Sequence, residues 1–212
     1  MSKKKKPLSN LPADFNRDAF ARSVRKIMEA AISQGAMNCF TNASLAQRAL
    51  VKLGVPAELH VGYASWRVDG ETPHGVVAHH PQGETILDPT VNDEQVVYHA
   101  WIKAGLSIID FTTYQLPEKA RFMDSMDGNT TPVNWAPDYL WVSQKSCKPY
   151  KKVLQSYKSG VYSYDRKIEL ETFLKETASK DPGDTDVLLF LYEKEKSGAG
   201  LNVFGPNNLI VP

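Results

Sequence analysis

The hydrophobic period of this chain changes near residue 54, and that change limits the folds it can adopt. Residues 40–53 repeat apolar side chains at helical spacing, and Gly54 and Pro56 follow as a helix stop. The apolar stripe consists of Ala43, Ala46, Ala49, Leu50 and Leu53. Residues 57–63 then alternate apolar and polar side chains, which is typical of a half-buried strand. The segment therefore predicts a helix followed directly by a strand.

The other periodic segments place a run of strands between two groups of helices. A first helix is expected over residues 14–33, capped by Asp14 or Asn16 and ended by Gly35. Further strands are predicted at residues 75–79, 84–87, 95–103, 106–112 and 139–143, and further helices at residues 165–177 and 185–194. This segregation predicts an α+β fold with an antiparallel sheet rather than a doubly wound parallel sheet.

The length of 212 residues fits one domain. Residues 1–13, which contain four consecutive lysines, are expected to form a disordered basic tail. Residues 14–212 are expected to form a single domain. Its core is predicted at about residues 35–145 and a C-terminal extension with extra helices at about residues 146–212.

Composition argues against several classes of function. The net charge of +1 gives no reason to expect a nucleic-acid partner or an acidic membrane surface. The sequence contains no apolar run long enough to span a bilayer. The lysines near the start are followed by polar residues and prolines instead of an apolar signal region, so a cytoplasmic location is expected.

The chain has two cysteines, Cys39 and Cys147, and both are expected to be free thiols. Cys39 falls at the first turn of the second predicted helix, where the helix dipole favours a thiolate. It is in phase with the apolar stripe, so its thiol is expected to face the sheet. A buried structural cysteine is the alternative for Cys39, and it is the interpretation that we favour for Cys147.

The segment from His99 to Asp110 is predicted to be a hairpin that pairs a histidine with a carboxylate. A two-residue turn at residues 104–105 would set His99 directly opposite Asp110, on one face with Trp101 and Ile108. The carboxylate could then accept the imidazole N–H and fix its tautomer. Packing the second helix on this sheet is expected to bring Cys39 to His99, as thiol catalysis requires.

These segments resemble three motifs of the transglutaminase-like superfamily. The resemblance rests on Cys39 at the start of a helix that ends in Leu53-Gly-Val-Pro-Ala57, on His99-Ala-Trp-Ile, and on Ile109-Asp-Phe-Thr112. It covers about residues 35–113. It implies a papain-like α+β fold in which Cys39, His99 and Asp110 form a catalytic triad for acyl transfer through a thioester. The superfamily contains proteases, amide cross-linkers, deamidases and inactive members, so the resemblance leaves the reaction open.

His74 and Asp88 are a rival assignment for the second and third motifs, since Asp88 lies in an Asp-Pro-Thr sequence. A two-residue turn at residues 82–83 would place this pair on opposite faces. A three-residue loop would leave the pair on one face but offset by two positions. The register therefore favours His99 and Asp110.

Several further residues are candidates for the site. The backbone N–H of Cys39 with the side chain of Gln34 or Asn38 is a candidate oxyanion hole, although an amide at a helix start is more often a cap. Trp66, Trp101 and His74 are candidates for lining a cleft, although core packing is the usual role of tryptophan. His74, His79 and His80 do not have the spacing of a zinc site, so neither a metal nor a cofactor is expected. His60 alternates outward from its strand and is predicted to lie on the surface.

The leading functional hypothesis is thiol-dependent hydrolysis or acyl transfer at an amide or peptide bond. Its partners would be a peptide, a protein or a small amide. The alternative is a catalytically idle papain-like fold that binds a peptide or protein. The sequence indicates no oligomeric state.

Overall fold

A computed structural model describes residues 11–31, 39–80, 97–177 and 183–205, which form an antiparallel sheet with helices packed on it. The helices are α1 Arg17–Ala31, α2 Cys39–Lys52, α3 Leu116–Asp127, α4 Tyr150–Leu154, α5 Ile168–Thr177 and α6 Gly183–Lys196. The strands are β1 Glu58–Arg67, β2 Val76–His79, β3 His99–Ala104, β4 Ser107–Asp110, β5 Leu140–Ser143 and β6 Tyr162–Arg166. The α+β class predicted from the sequence is confirmed.

The sheet is built around its longest strand, β1. Its order is β2-β1-β3-β4-β5, and β6 also pairs with β1. Every pairing is antiparallel. Because β1 pairs with β2, β3 and β6, its middle residues lie beside strands from both nearby and distant parts of the sequence.

The two faces of the sheet carry separate apolar clusters. On the first face, alternate residues of β1, β3 and β4 pack against α1, α2, α5 and α6. On the second face, Trp66, Val77 and Leu140 pack against Leu116 and Ala120 near the start of α3. Residues of one strand alternate between these faces, so neighbouring side chains enter different clusters.

Local sequence signals account for the ends of the first two helices. The Asn16 side chain accepts a hydrogen bond from the Ala19 N–H at 3.0 Å and so caps α1. Helix α2 ends at Lys52 and is followed by Gly54, which has a φ of +78°. The following Val55 N–H donates to the Leu50 carbonyl at 2.9 Å, which closes the last turn as the sequence predicts.

The region after Thr113 contains more regular structure than the sequence predicted. Helices α3 and α4 were not predicted. The helix expected from Asp165 begins only at Ile168, because residues 162–166 instead form β6. Strand β6 belongs to the segment expected to extend the core, yet it pairs with β1 inside the sheet. The strand predicted at residues 84–87 lies outside the described residues.

No helix within the described ranges is long and apolar enough to cross a membrane.

Candidate active site

Cys39 is the first residue of α2, and its side chain is only 5% exposed. Residues 32–38 lie outside the described part of the chain, so the oxyanion candidates Gln34 and Asn38 have no described position. The start of a helix places Cys39 near backbone N–H groups that favour a negative charge. This position agrees with the helix start predicted from the sequence.

The hairpin that carries His99 and Asp110 turns one residue later than predicted. Strands β3 and β4 pair Ala104 with Ser107, so the turn is at residues 105–106. The prediction that His99 lies directly opposite Asp110 is therefore wrong by two positions. Gly105, with a φ of +57°, is the first residue of the observed turn, where glycine takes the left-handed conformation at little cost.

An offset of two positions leaves His99 and Asp110 on the same face of the sheet. Diagonal neighbours on one face are about 7–8 Å apart at Cα, which long side chains can bridge. An offset of two positions was also the reason for disfavouring the pair of His74 and Asp88. Strand register therefore does not distinguish that pair from His99 and Asp110. Asp88 lies outside the described residues, and the side-chain contacts of His99 have to decide its partner.

His99 and Asp110 are joined by a buried hydrogen bond. The Nε2 atom of His99 lies 2.9 Å from Oδ2 of Asp110, and both side chains are 0% exposed. Burial, the largest single influence, would lower the pKa of His99, but the charge and hydrogen bond of Asp110 together with the contact to Cys39 raise that pKa above its usual value. Burial would likewise raise the pKa of Asp110, but the paired imidazole holds it well below its usual value. The carboxyl group is therefore ionised at neutral pH.

Helix α2 packs on the face of the sheet opposite to the His99 side chain. Its apolar stripe shares a cluster with Ala100, Ile102, Ala104 and Ile109, which alternate away from His99. Cys39 interacts with the imidazole and with the Ala100 N–H. Cys39 is the first residue of α2, and His99 is the first residue of β3. The two side chains therefore meet at the ends of their elements and not across a shared face.

The thiol and the imidazole change each other's proton affinity. Burial alone would raise the pKa of Cys39, but its interaction with His99 and the charge of Lys119 lower that pKa below its usual value. The Nδ1 atom of His99 is buried and has no partner with standard hydrogen-bond geometry among the described residues. Since Nε2 is bound to Asp110, Nδ1 is the nitrogen left to exchange a proton with the thiol.

Two residues that the sequence analysis missed also bind Asp110. The hydroxyl of Tyr164, on β6, donates to Oδ2 at 2.8 Å. The backbone N–H and the hydroxyl of Thr112 both donate to Oδ1 at 2.8 Å. With His99, these groups give the carboxylate four hydrogen bonds. Tyr162 and Tyr164 alternate with Ser163 and Asp165, a period of two that could have revealed the strand.

A buried lysine completes the polar network. Lys119, on α3, is 2% exposed, and its Nζ donates to Oγ1 of Thr112 at 2.9 Å. The ammonium also lies 5.2 Å from the centre of the Trp66 ring. Burial lowers the pKa of Lys119 from its usual value. Residue 119 falls in a helix that the sequence analysis did not predict.

The cleft candidates Trp66 and Trp101 are both buried beside His99. Trp66 packs edge-on against the imidazole with ring centres 4.8 Å apart, and its Nε1 donates to Tyr164 Oη at 2.9 Å. Trp101 is stacked on His99 with ring centres 6.4 Å apart. Both tryptophans therefore enclose the histidine–carboxylate pair instead of lining an open surface.

His74 has a different environment from the other candidates. It is exposed and lines a cavity of about 180 Å³ with residues such as Val77 and Asp124. The charged groups in the described residues that lower the pKa of Cys39 are His99 and Lys119. The described contacts thus join Cys39 to His99 and not to His74.

Other histidines lie near the site. His79 stacks on His99 with ring centres 5.4 Å apart, and burial lowers its pKa well below 6.5. Its Nε2 has no hydrogen-bond partner within the described part of the chain. Within the described ranges, no group of three histidine, cysteine or acidic side chains has the arrangement of a metal site. His60 is 6% exposed and contacts Trp101, so the prediction that it lies on the surface is wrong.

Comparisons with known proteins give a fold and no family. No protein-family model matches the chain, and no curated protein matches it. One solved structure, described as "the crystal structure of genomics APC5867", is similar over 91% of this chain and 82% of that chain. Its sequence identity is 17% and its TM-score is 0.53. This likeness supports the overall α+β fold alone.

Proposed function

We propose that the protein is a thiol-dependent hydrolase or acyltransferase of the transglutaminase-like kind, with a papain-like fold. Cys39 is its nucleophile, His99 its general base and acid, and Asp110 the group that orients His99. The observation that carries this proposal is the buried 2.9 Å pairing of His99 with Asp110 next to a helix-start thiol whose pKa is lowered. The substrate class is a peptide, a protein or a small amide.

The residues can divide the reaction in the following way. The Cys39 thiol transfers its proton to Nδ1 of His99, and the thiolate attacks the carbonyl carbon to form a tetrahedral intermediate. His99 then donates that proton to the departing amine, and a thioester remains on Cys39. His99 takes a proton from water or an amine as that nucleophile attacks the thioester. The carbon–sulfur bond then breaks, the new acyl product leaves, and the Cys39 sulfur takes the proton back from His99.

Hydrogen bonds to Asp110 support this division of roles. The carboxylate is ionised and bound by Tyr164 and Thr112, so it can hold the Nε2–H tautomer and stabilise an imidazolium. The N–H of Cys39 at the start of α2 is a candidate donor to the oxyanion, with Gln34 or Asn38 as a second donor. Cys39 and Cys147 are both free thiols, which favours a reducing compartment such as the cytoplasm.

The burial of the site favours a second candidate function. His99 is 0% exposed and Cys39 is 5% exposed. A papain-like fold with an enclosed, idle triad would bind a peptide or protein and would not cleave it. This alternative predicts that Cys39→Ser binds the ligand as well as the unaltered protein does, whereas an enzyme would lose turnover in the same variant.

The pH dependence of Cys39 alkylation tests the proposal without a known substrate. A Cys147→Ser background isolates Cys39; Cys147 itself has a pKa raised to about 11 by burial and would react slowly. We would compare this background with added His99→Ala or His74→Ala, using a small uncharged alkylating reagent and free cysteine as the reference.

An activated thiol is expected to react several-fold faster than free cysteine at pH 6, because its lowered pKa raises the thiolate fraction. His99→Ala should abolish this excess and His74→Ala should retain it. Loss of the excess in His74→Ala alone would assign the base to His74. A rate no greater than that of free cysteine in all three proteins would favour the idle, peptide-binding fold.

A further inference from the structure

Lys119 is a charged residue inside the candidate active site whose presence the triad alone does not explain. Its side chain is 2% exposed, and its ammonium donates to Oγ1 of Thr112 at 2.9 Å. That hydroxyl donates in turn to Oδ1 of Asp110 at 2.8 Å. Lys119 is therefore connected through Thr112 to Oδ1 of Asp110, whereas His99 binds Oδ2 of the same carboxylate.

The buried charges balance only when Lys119 is counted. Asp110 contributes a negative charge and Lys119 a positive charge, and a proton moving from Cys39 to His99 adds one charge of each sign. The group therefore stays neutral before and after the proton transfer. Without Lys119, the neutral arrangement would be a thiol, an imidazolium and a carboxylate, and ionising Cys39 would leave a net negative charge in a buried site.

We propose that Lys119 is a positioning residue of this site, whose buried ammonium balances Asp110 through Thr112 so that Cys39 can ionise without leaving a net charge. This inference rests on the proposed function, because it explains how that same thiol is activated. Uncompensated buried charge is costly, so the balance determines which proton arrangement is populated at neutral pH.

The other titratable groups that face Lys119 do not replace its charge. His79, on β2, stacks on His99 and is neutral at pH 7, because burial lowers its pKa well below 6.5. Tyr164, on β6, is also neutral, because burial raises its pKa well above 10.0. Two positive charges can therefore lie near Asp110 in the described residues. One is the imidazolium that forms when His99 takes the proton of Cys39, and the other is the ammonium of Lys119.

The test is the pH profile of Cys39 alkylation in the Cys147→Ser background. Lys119→Met removes the charge and keeps the apolar stem. Thr112→Val keeps the ammonium but removes the hydroxyl that joins it to Asp110. Lys145→Met is the matched control, because it makes the same change of net charge at an exposed position. Thermal unfolding and circular dichroism report whether each variant is folded.

Lys119→Met is expected to shift the alkylation midpoint to higher pH and to slow the reaction at pH 6 by roughly tenfold, since a neighbouring opposite charge changes a pKa by about one unit or more. The rate at high pH should recover. Thr112→Val should shift the midpoint in the same direction, and Lys145→Met should leave it unchanged. If Lys119→Met does not fold, the midpoint of the Thr112→Val alkylation profile tests the role of Lys119.

A folded Lys119→Met or Thr112→Val protein with the same midpoint as its parent would overturn the inference while the activated thiol remained. A parent protein whose Cys39 titrates as an ordinary thiol would instead overturn the proposed function. A purely structural role of Lys119 would lower the unfolding temperature without moving the midpoint, which also counts against the proposal.

Discussion

Replacing Asp110 with asparagine tests the buried network most directly. The change keeps the size of the side chain but removes a charge that accepts four hydrogen bonds from His99, Tyr164 and Thr112. It also leaves the Lys119 ammonium buried without its balancing carboxylate. Removing one partner from a buried, hydrogen-bonded charge network costs about 3–5 kcal/mol. We expect Asp110→Asn to lower the free energy of unfolding by that amount.

The pH dependence of this loss follows from two pKa shifts. The folded pKa of Asp110 is lowered, so its contribution is present above the pKa of an unfolded aspartate, about 3.9, and disappears as the pH falls below it. The folded pKa of His99 is raised, so its contribution is complete below about pH 6.5 and disappears as the pH rises through the folded value. The difference between the two proteins should therefore be largest at about pH 5–6.

Urea unfolding followed by tryptophan fluorescence measures the difference, since Trp66 and Trp101 are buried beside the network. Asp165→Asn is the control, because its side chain is 59% exposed and its ion pair with Lys167 should contribute under about 1 kcal/mol. If the free energies of unfolding of Asp110→Asn and Asp165→Asn at pH 5.5 differ by less than about 1 kcal/mol, the Asp110 carboxylate does not stabilise the buried network.

Three further predictions concern stability. Tyr164→Phe removes one donor to a charged carboxylate and should cost about 1.5–3 kcal/mol in urea unfolding, with an unchanged midpoint contradicting its role. In Gly62→Ala the new Cβ would lie 2.0 Å from a backbone oxygen of β6, so the free energy of unfolding should fall by about 3 kcal/mol. Gly128→Ala is the control: the space around it is open but its φ is +73°, so the loss should be about 1 kcal/mol. Burial alone would raise the pKa of Glu171, but hydrogen bonds led by Arg166 lower it to about 2. Glu171→Gln should therefore destabilise at pH 7, and this loss should vanish as the pH falls from about 4.5 toward 2; a gap in unfolding temperature that persists at pH 2 would refute it.

The local features of the site could be predicted from short stretches of sequence. The capping side chain of Asn16 and the stop at Gly54 depend on contacts within a few residues, so the start of α1 and the end of α2 were predictable. The position of Cys39 at the start of α2 agrees with the helical period predicted for residues 40–53. His99 and Asp110 were expected on one face, and that expectation survived an error of two positions in register, because side chains in a strand repeat with a period of two.

The surroundings of His99 and Asp110 depend on how distant segments pack and could not be predicted in this way. The turn at Gly105 set the register, and β6 brought Tyr164 from a distant part of the chain to Asp110. The buried positions of Lys119 and His60 were not visible in their local sequence. Strand partners and the burial of a polar side chain depend on contacts between residues far apart in sequence. Local periodicity constrains which face of the sheet a residue occupies. Which other side chains it contacts on that face depends on how the strands pair in the folded protein.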